Sequence, residues 1–236
     1  MDIKNIYTNI GNLKHCASYK CNIFVKFKAH EENTITSDVD NQTIEHYDTI
    51  GVKTRSTNLL TLPQAIRQME NFIKYIPKGG KILDAGCGTG RDSKYFSDLG
   101  YDVCAFDASS AMCKLASEYT GLDVINTTFE KFKSNELFDG IYARNSLLHV
   151  PRERFDSCIE NLAKHLKKGG IFWATLKSGC EQGRDKAGRL YNYFSYDELL
   201  EIIRKQKNLE IIEMKEYKDE ITEGNDKIIE IIAKAV

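Results

Sequence analysis

From residue 62 onward, short apolar runs alternate with longer stretches of helical spacing, and few folds accommodate that rhythm. Leu62 to Ile76 carries Ile66, Met69, Phe72, Ile73 and Ile76 at helical intervals and stops at Pro77-Lys-Gly-Gly, a breaker cluster. KILDAG (81–86) follows, then a helix over 91–99, DVCAFD (102–107), and a helix over 109–119 with Ser109 or Ser110 as its N-cap. LDVINT (122–127), FDGIYA (138–143), a helix near 152–167 closed by Lys-Lys-Gly-Gly, and IFWATL (171–176) continue the series. Strands alternating with helices predict right-handed crossovers and a parallel sheet covered on both faces. The tail departs from this: after a helix near 196–206, LEIIEMKEY (209–217) and KIIEIIAKAV (227–236) are separated only by a turn, so they should pair antiparallel at one edge.

The 236 residues suit one α/β domain with an appendage, and 42% apolar residues supply a full core. Lys plus Arg (33) nearly cancels Asp plus Glu (34), so no general field draws polyanions, which argues against a nucleic-acid partner. Seven cysteines, at 16, 21, 87, 104, 113, 158 and 180, have irregular spacing and no paired Cys-x-x-Cys units. That pattern reads as reduced thiols in a cytoplasmic protein with no metal site. MDIKNIYTNIGNLKH lacks an apolar core segment, and no run approaches the ~18 apolar residues of a membrane span. Residues 1–45 stand outside the alternation: NIFVKFKA (22–29) reads as a strand and 30–44 as a polar linker. They are assigned as an appendage and linker without a legible role, with the main domain over 46–236.

Gly86-Cys-Gly-Thr-Gly90 directly follows a strand and opens a helix, where backbone N–H groups and a positive helix end face a ligand. Asp107, 21 residues beyond Gly86, ends the next strand, from which a carboxylate accepts both hydroxyls of a ribose. The dinucleotide fingerprint needs Gly or Ala where Arg91 stands, so a nicotinamide cofactor fits poorly.

KILDAGCGTGRDSKYF (81–96), AFDAS (105–109) and FDGIYARNSLLHV (138–150) resemble three motifs of the class I S-adenosylmethionine-dependent methyltransferases. The resemblance covers about residues 47–236, and GCGTGRDS with SLLHVPRERF (146–155) and GRLYNYFSYDEL (188–199) is most similar to bacterial small-molecule methyltransferases labelled tellurite-resistance-like. It implies an α/β fold: a Rossmann-like doubly wound, mostly parallel seven-stranded sheet with an antiparallel C-terminal hairpin at the edge. It also implies S-adenosyl-L-methionine as cofactor and S-adenosyl-L-homocysteine as product. Carried over, it gives Asp84, Gly86 and Gly88 to the methionine part and Asp107 to the ribose, with Cys87, Ala108 and Ala143 also around the cofactor. Arg91 either pairs with the cofactor carboxylate or makes an ion pair with Asp92 or Glu118. Thr128 stands where relatives often place an Asp for the adenine, so its hydroxyl or Glu130 takes that role beside the Phe129 N–H, unless Glu130 faces solvent. Tyr47-Asp48 aligns with a segment that closes over the cofactor, although Thr54 replaces a second expected tyrosine.

Methyl transfer needs mainly positioning, plus a base when the acceptor must lose a proton. His149, whose ordinary pKa of ~6.5 suits neutral pH, is that base, or else it orients a loop ahead of Pro151. KSGCEQGRDKAGRLYNYF (177–194) is too long for a simple connection and reads as a lid over the acceptor. Its Arg184, Lys186 and Arg189 suit an anionic acceptor, with Tyr191 and Tyr193 as apolar faces; the alternative is a solvated loop. The function expected is direct in-line methyl transfer to a small molecule, with Arg184 and Arg189 joining His149, in a monomer or homodimer. A nucleic-acid methyltransferase lacks its Pro-Pro-aromatic signature where ARNSLL stands. A protein acceptor, or a module that binds the cofactor without turnover, is the other alternative. The acceptor and the methylated atom are not written in the sequence.

Overall fold

A computed structural model describes residues 40–51, 63–221 and 226–236. The proposed strand at 22–29, the cysteines at 16 and 21 and Thr54 lie outside the described residues. Nine strands are described: β1 Lys81–Ala85, β2 Asp102–Asp107, β3 Val124–Asn126, β4 Phe138–Arg144, β5 Leu166–Lys177, β6 Gln182–Arg184, β7 Leu190–Asn192, β8 Leu209–Lys218 and β9 Lys227–Ala235. Seven of them form one sheet in the order β3-β2-β1-β4-β5-β9-β8. The first five are parallel, and β9 runs antiparallel to both neighbours, so it lies between β5 and the edge strand β8. The expected hairpin at the edge is present, with the last strand on its inner side.

Period-two alternation explains why both faces of the central strands are apolar. Leu83, Phe106, Ile141 and Phe172 point into one core, while Ile82, Tyr142 and Trp173 point into the other. The second core is closed by helix α2, Pro63–Ile73, whose Ala65, Met69 and Phe72 repeat at helical spacing. Phe72 packs at 5.1 Å from Tyr142, and Tyr142 stacks on Trp173 at 4.4 Å. Helices α3 (Arg91–Asp98), α4 (Ser110–Thr120), α5 (Phe155–Ala163) and α6 (Tyr196–Lys205) complete the set, with Ser109 capping α4 through Met112 N–H.

Three expectations change. The helix near 152–167 is a tight turn at Arg152–Arg154 followed by α5, which ends at Ala163. Lys167-Lys168-Gly169-Gly170 then lies inside β5, as an excursion between the pairs Phe138 with Leu166 and Gly140 with Ile171, where Gly169 takes φ +80°. The last residues of the linker placed at 30–44 belong to helix α1, Asn41–His46, because the Asp40 side chain accepts from Thr43 N–H and starts it, while 30–39 lie outside the described residues. The 177–194 insertion contains the hairpin β6–β7. Cys180 is disulfide-bonded, unlike the seven reduced thiols expected. No helix among the described residues is long and apolar enough to cross a membrane, and no cluster of three or more His, Cys, Asp or Glu among them is placed to hold a metal.

Candidate cofactor site

The chain leaves β1 toward β2 on one side and returns to β4 on the other, so the carboxyl ends of β1 and β4 flank a switch point. A cavity of about 270 Å³ opens there, near the lower end of small-molecule sites. Asp84, Gly86, Cys87, Arg91, Asp107, Ala108, Thr128, Phe129 and His149 all line it. Gly86 has φ +77°, and a Cβ there would come within 2.5 Å of Ser146 Cβ, so only glycine lets β1 turn beside β4. Ser146 Oγ fixes the same approach by donating to the Ala85 carbonyl at 2.7 Å. Gly90, at φ +79°, lets the start of α3 touch Ala116 and Thr120 of α4.

Asp107 ties the loop to the next helix: one oxygen accepts from Gly88 N–H at 2.8 Å and the other from Ser109 N–H at 2.9 Å. Gly88 itself is behind this bond and does not line the cavity. Asp84 is 3% exposed and accepts from Ser93 Oγ at 2.6 Å. Burial, then the neighbouring Asp92 carboxylate, pushes its carboxyl up to about 7. Asp92 is held between Arg91 and Arg144, each with Nε 2.6 Å from a carboxylate oxygen. Arg91 thus makes the ion pair with Asp92 while also lining the cavity. Burial also pushes the Cys87 thiol up, which suits a packing residue and not a nucleophile.

Thr128 Oγ1 accepts from Lys131 N–H at 3.3 Å, and Phe129 meets Phe106 edge-on at 5.4 Å. Glu130 is turned away from the cavity, bonded to Arg154 at 3.3 Å and Ser157 at 3.2 Å. Ala143 is fully buried in one core and not in the cavity wall, while its neighbour Tyr142 points into the other core.

The acceptor side differs most from expectation. Arg184 is held by Asp40 at 2.5 and 2.7 Å, and burial of that carboxyl is outweighed by the Arg184 and Thr43 hydrogen bonds, which lower it. Arg189 is held by Asp185 through Nε at 2.8 Å and Nη2 at 2.6 Å. Neither arginine lines the cavity, so the loop's two pinned cations present no anion-binding face to it. They fasten a cover instead. Leu190 N–H donates to Thr43 Oγ1 at 2.8 Å, and Asp48 accepts from Ser109 Oγ at 2.5 Å and Ala111 N–H at 3.1 Å. Helix α1 and the wider turn Tyr47–Gly51 are thereby strapped between β6–β7 and the start of α4. Tyr47 and His149 both line the cavity and bond to each other at 2.9 Å.

Asp92, Ser109, Met112, Arg144, Asn145 and Ser146 line the cavity without having been singled out as ligand residues. Arg144 to Ser146 directly follow the β4 apolar run, so the strand-end rule that gave Asp107 would have found them. Asn145 has φ +50°, rare for a residue with a side chain, and its N–H donates to the Thr175 carbonyl at 3.1 Å.

Residues 82–170 match the family described as Methyltransferase domain. The probable S-adenosyl-L-methionine-dependent methyltransferase TehB of Haemophilus influenzae is 36% identical over 95 residues, 38% of this chain and 33% of that protein. The chain spans about a third of the length of that curated relative. The solved structure of the Burkholderia thailandensis 1,6-didemethyltoxoflavin-N1-methyltransferase, with S-adenosylhomocysteine bound, superposes with TM-score 0.69 at 18% identity, over 90% of this chain and 94% of that one. The [4+2]-cyclase SpnF superposes with TM-score 0.60 at 19% identity, over 72% of this chain and 80% of that one.

Proposed function

We propose that this chain, whose residues 82–170 match the family described as Methyltransferase domain, is a class I S-adenosylmethionine-dependent methyltransferase that moves a methyl group to a small-molecule acceptor by direct in-line displacement. The observation that carries the reading is Asp84, a buried carboxylate in the cavity wall beside a second carboxylate. Such a site favours a ligand that brings positive charge, as the ammonium and sulfonium of S-adenosylmethionine do. Asp107 suits the ribose hydroxyls, and Met112, Thr128, Phe129 and Ala108 give a largely apolar wall for the adenine. Gly86, Cys87 and Gly88 shape the loop around the methionine part, with Arg144 and Arg91 near its carboxylate. When bound, the cofactor supplies a methyl carbon on a positively charged sulfur, leaving S-adenosylhomocysteine after transfer. His149 is the base that drives loss of the acceptor's proton, and Arg184 and Arg189 act as positioning residues that fasten the cover.

The fold alone does not carry the chemistry, since a named cyclase shares it. The same proposal takes the domain as residues 46–236, acting in the cytoplasm as a monomer or homodimer. The test is release of S-adenosylhomocysteine by the purified chain over a panel of small oxyanions, phenols and heteroaromatic N–H compounds. Turnover with a panel member supports the reading. Release only with nucleic acid or protein, or tight cofactor binding with no turnover on any acceptor, overturns it.

A further inference from the structure

His149 Nδ1 lies 2.6 Å from the Leu190 carbonyl oxygen, which can only accept, so Nδ1 carries the proton. A neutral imidazole protonated there accepts at Nε2. The Tyr47 hydroxyl, 2.9 Å from Nε2, therefore donates to it. Arg189 Nη1 donates in turn to the Tyr47 oxygen at 3.3 Å, and Asp185 holds that guanidinium in place. The result is a hydrogen-bond chain with one direction, Arg189 to Tyr47 to His149 to Leu190. Reversing the histidine tautomer would break the Leu190 bond.

We infer that Tyr47 is the group that meets the acceptor's O–H or N–H in the cavity, with His149 acting through it. This rests on the methyl-transfer reading above. As the acceptor loses its proton, that proton joins the Tyr47 oxygen while the original Tyr47 proton moves to His149 Nε2, and the bonding pair stays on the acceptor atom. The imidazolium keeps its Nδ1–H on Leu190 and later returns the Nε2 proton to solvent. Arg189 stabilises the charge that the Tyr47 oxygen carries in passing. Direct action by His149 would first have to break its bond to Tyr47. The substrate class follows: an acceptor that arrives neutral and protonated at the atom to be methylated, consistent with both loop arginines being committed to carboxylates.

The test uses the full chain without cofactor, its histidines isotope-labelled, and nitrogen NMR to read the His149 tautomer. The expected result is an Nδ1–H imidazole whose Nε2 resonance moves toward that of a nitrogen without a donor in Tyr47→Phe, with Nδ1 unmoved. An Nε2–H tautomer, or an Nε2 resonance indifferent to Tyr47→Phe, overturns the inference. With an acceptor from the panel, Tyr47→Phe should lower kcat by about 10²-fold while KM and S-adenosylhomocysteine affinity hold; an unchanged kcat also overturns it. Failure of the wild-type chain to bind S-adenosylhomocysteine would instead overturn the parent reading. A wrong tautomer in a chain that binds it removes the relay alone.

Discussion

Asp84 and Asp107 face one cavity from adjacent strands, yet their surroundings ask different things of them. Asp107 is fixed by two backbone N–H groups, so its oxygens are held ready for a hydroxyl-bearing ligand. Asp107→Ala should weaken S-adenosylhomocysteine binding by about 1.5–3 kcal/mol, roughly 10–100-fold, as for hydrogen bonds to a charged group. Titration calorimetry reads this, and an unchanged affinity would contradict the ribose assignment. Asp84 is raised from the ordinary 3.8 to about 7 by burial and then by Asp92. The cofactor-free fold therefore holds an extra proton in that window, and its stability falls as pH rises across it. A cationic ligand prefers the ionised form, so S-adenosylmethionine affinity should fall as pH drops through about 7, and Asp84→Asn should flatten that dependence. Affinity indifferent to pH in the wild type would contradict it. Asp107 was legible because a carboxylate at a strand end has one address; Glu130 and Ala143 were not, because face and rotation cannot be read from a run such as INTTFEKF or FDGIYAR.

At the scale of elements, polar bonds from Asp40, Thr43, Tyr47 and Asp48 tie α1 and the Tyr47–Gly51 turn to the domain. Asp40 serves twice, capping α1 and pairing with Arg184, so the helix start and the hairpin are fastened at one residue. Arg184→Ala should loosen this cover at a cost of about 1–3 kcal/mol to its local closure, visible as faster hydrogen exchange over 41–51. Exchange unchanged there would show that the pair is idle. The positions of β1, β2, β4, α3 and α4 were legible within a residue or two because apolar periodicity and breakers coincide. The α1 cover was not, because its partners lie 144 residues away along the chain and HEENTITSDVDNQT reads locally as polar loop. The β5 excursion was hidden for a related reason: Lys-Lys-Gly-Gly ends helices and bulges strands with equal ease.

Across the whole molecule, two apolar cores grip one sheet from opposite faces and leave its carboxyl edge open for chemistry. Phe72 joins α2 to Tyr142, Phe96 and Trp173 and does not itself line the cavity. Phe72→Ala should cost about 3–5 kcal/mol of global stability while leaving the cofactor affinity of the folded protein unchanged, which thermal unfolding and calorimetry together would separate. The central claim is that the cavity between β1 and β4 is built for S-adenosylmethionine. Calorimetric titration of the intact chain with S-adenosylmethionine, S-adenosylhomocysteine and NAD tests it most directly. Micromolar binding of the first two, with none of NAD, is the predicted result; binding of NAD, or of none of the three, would contradict it.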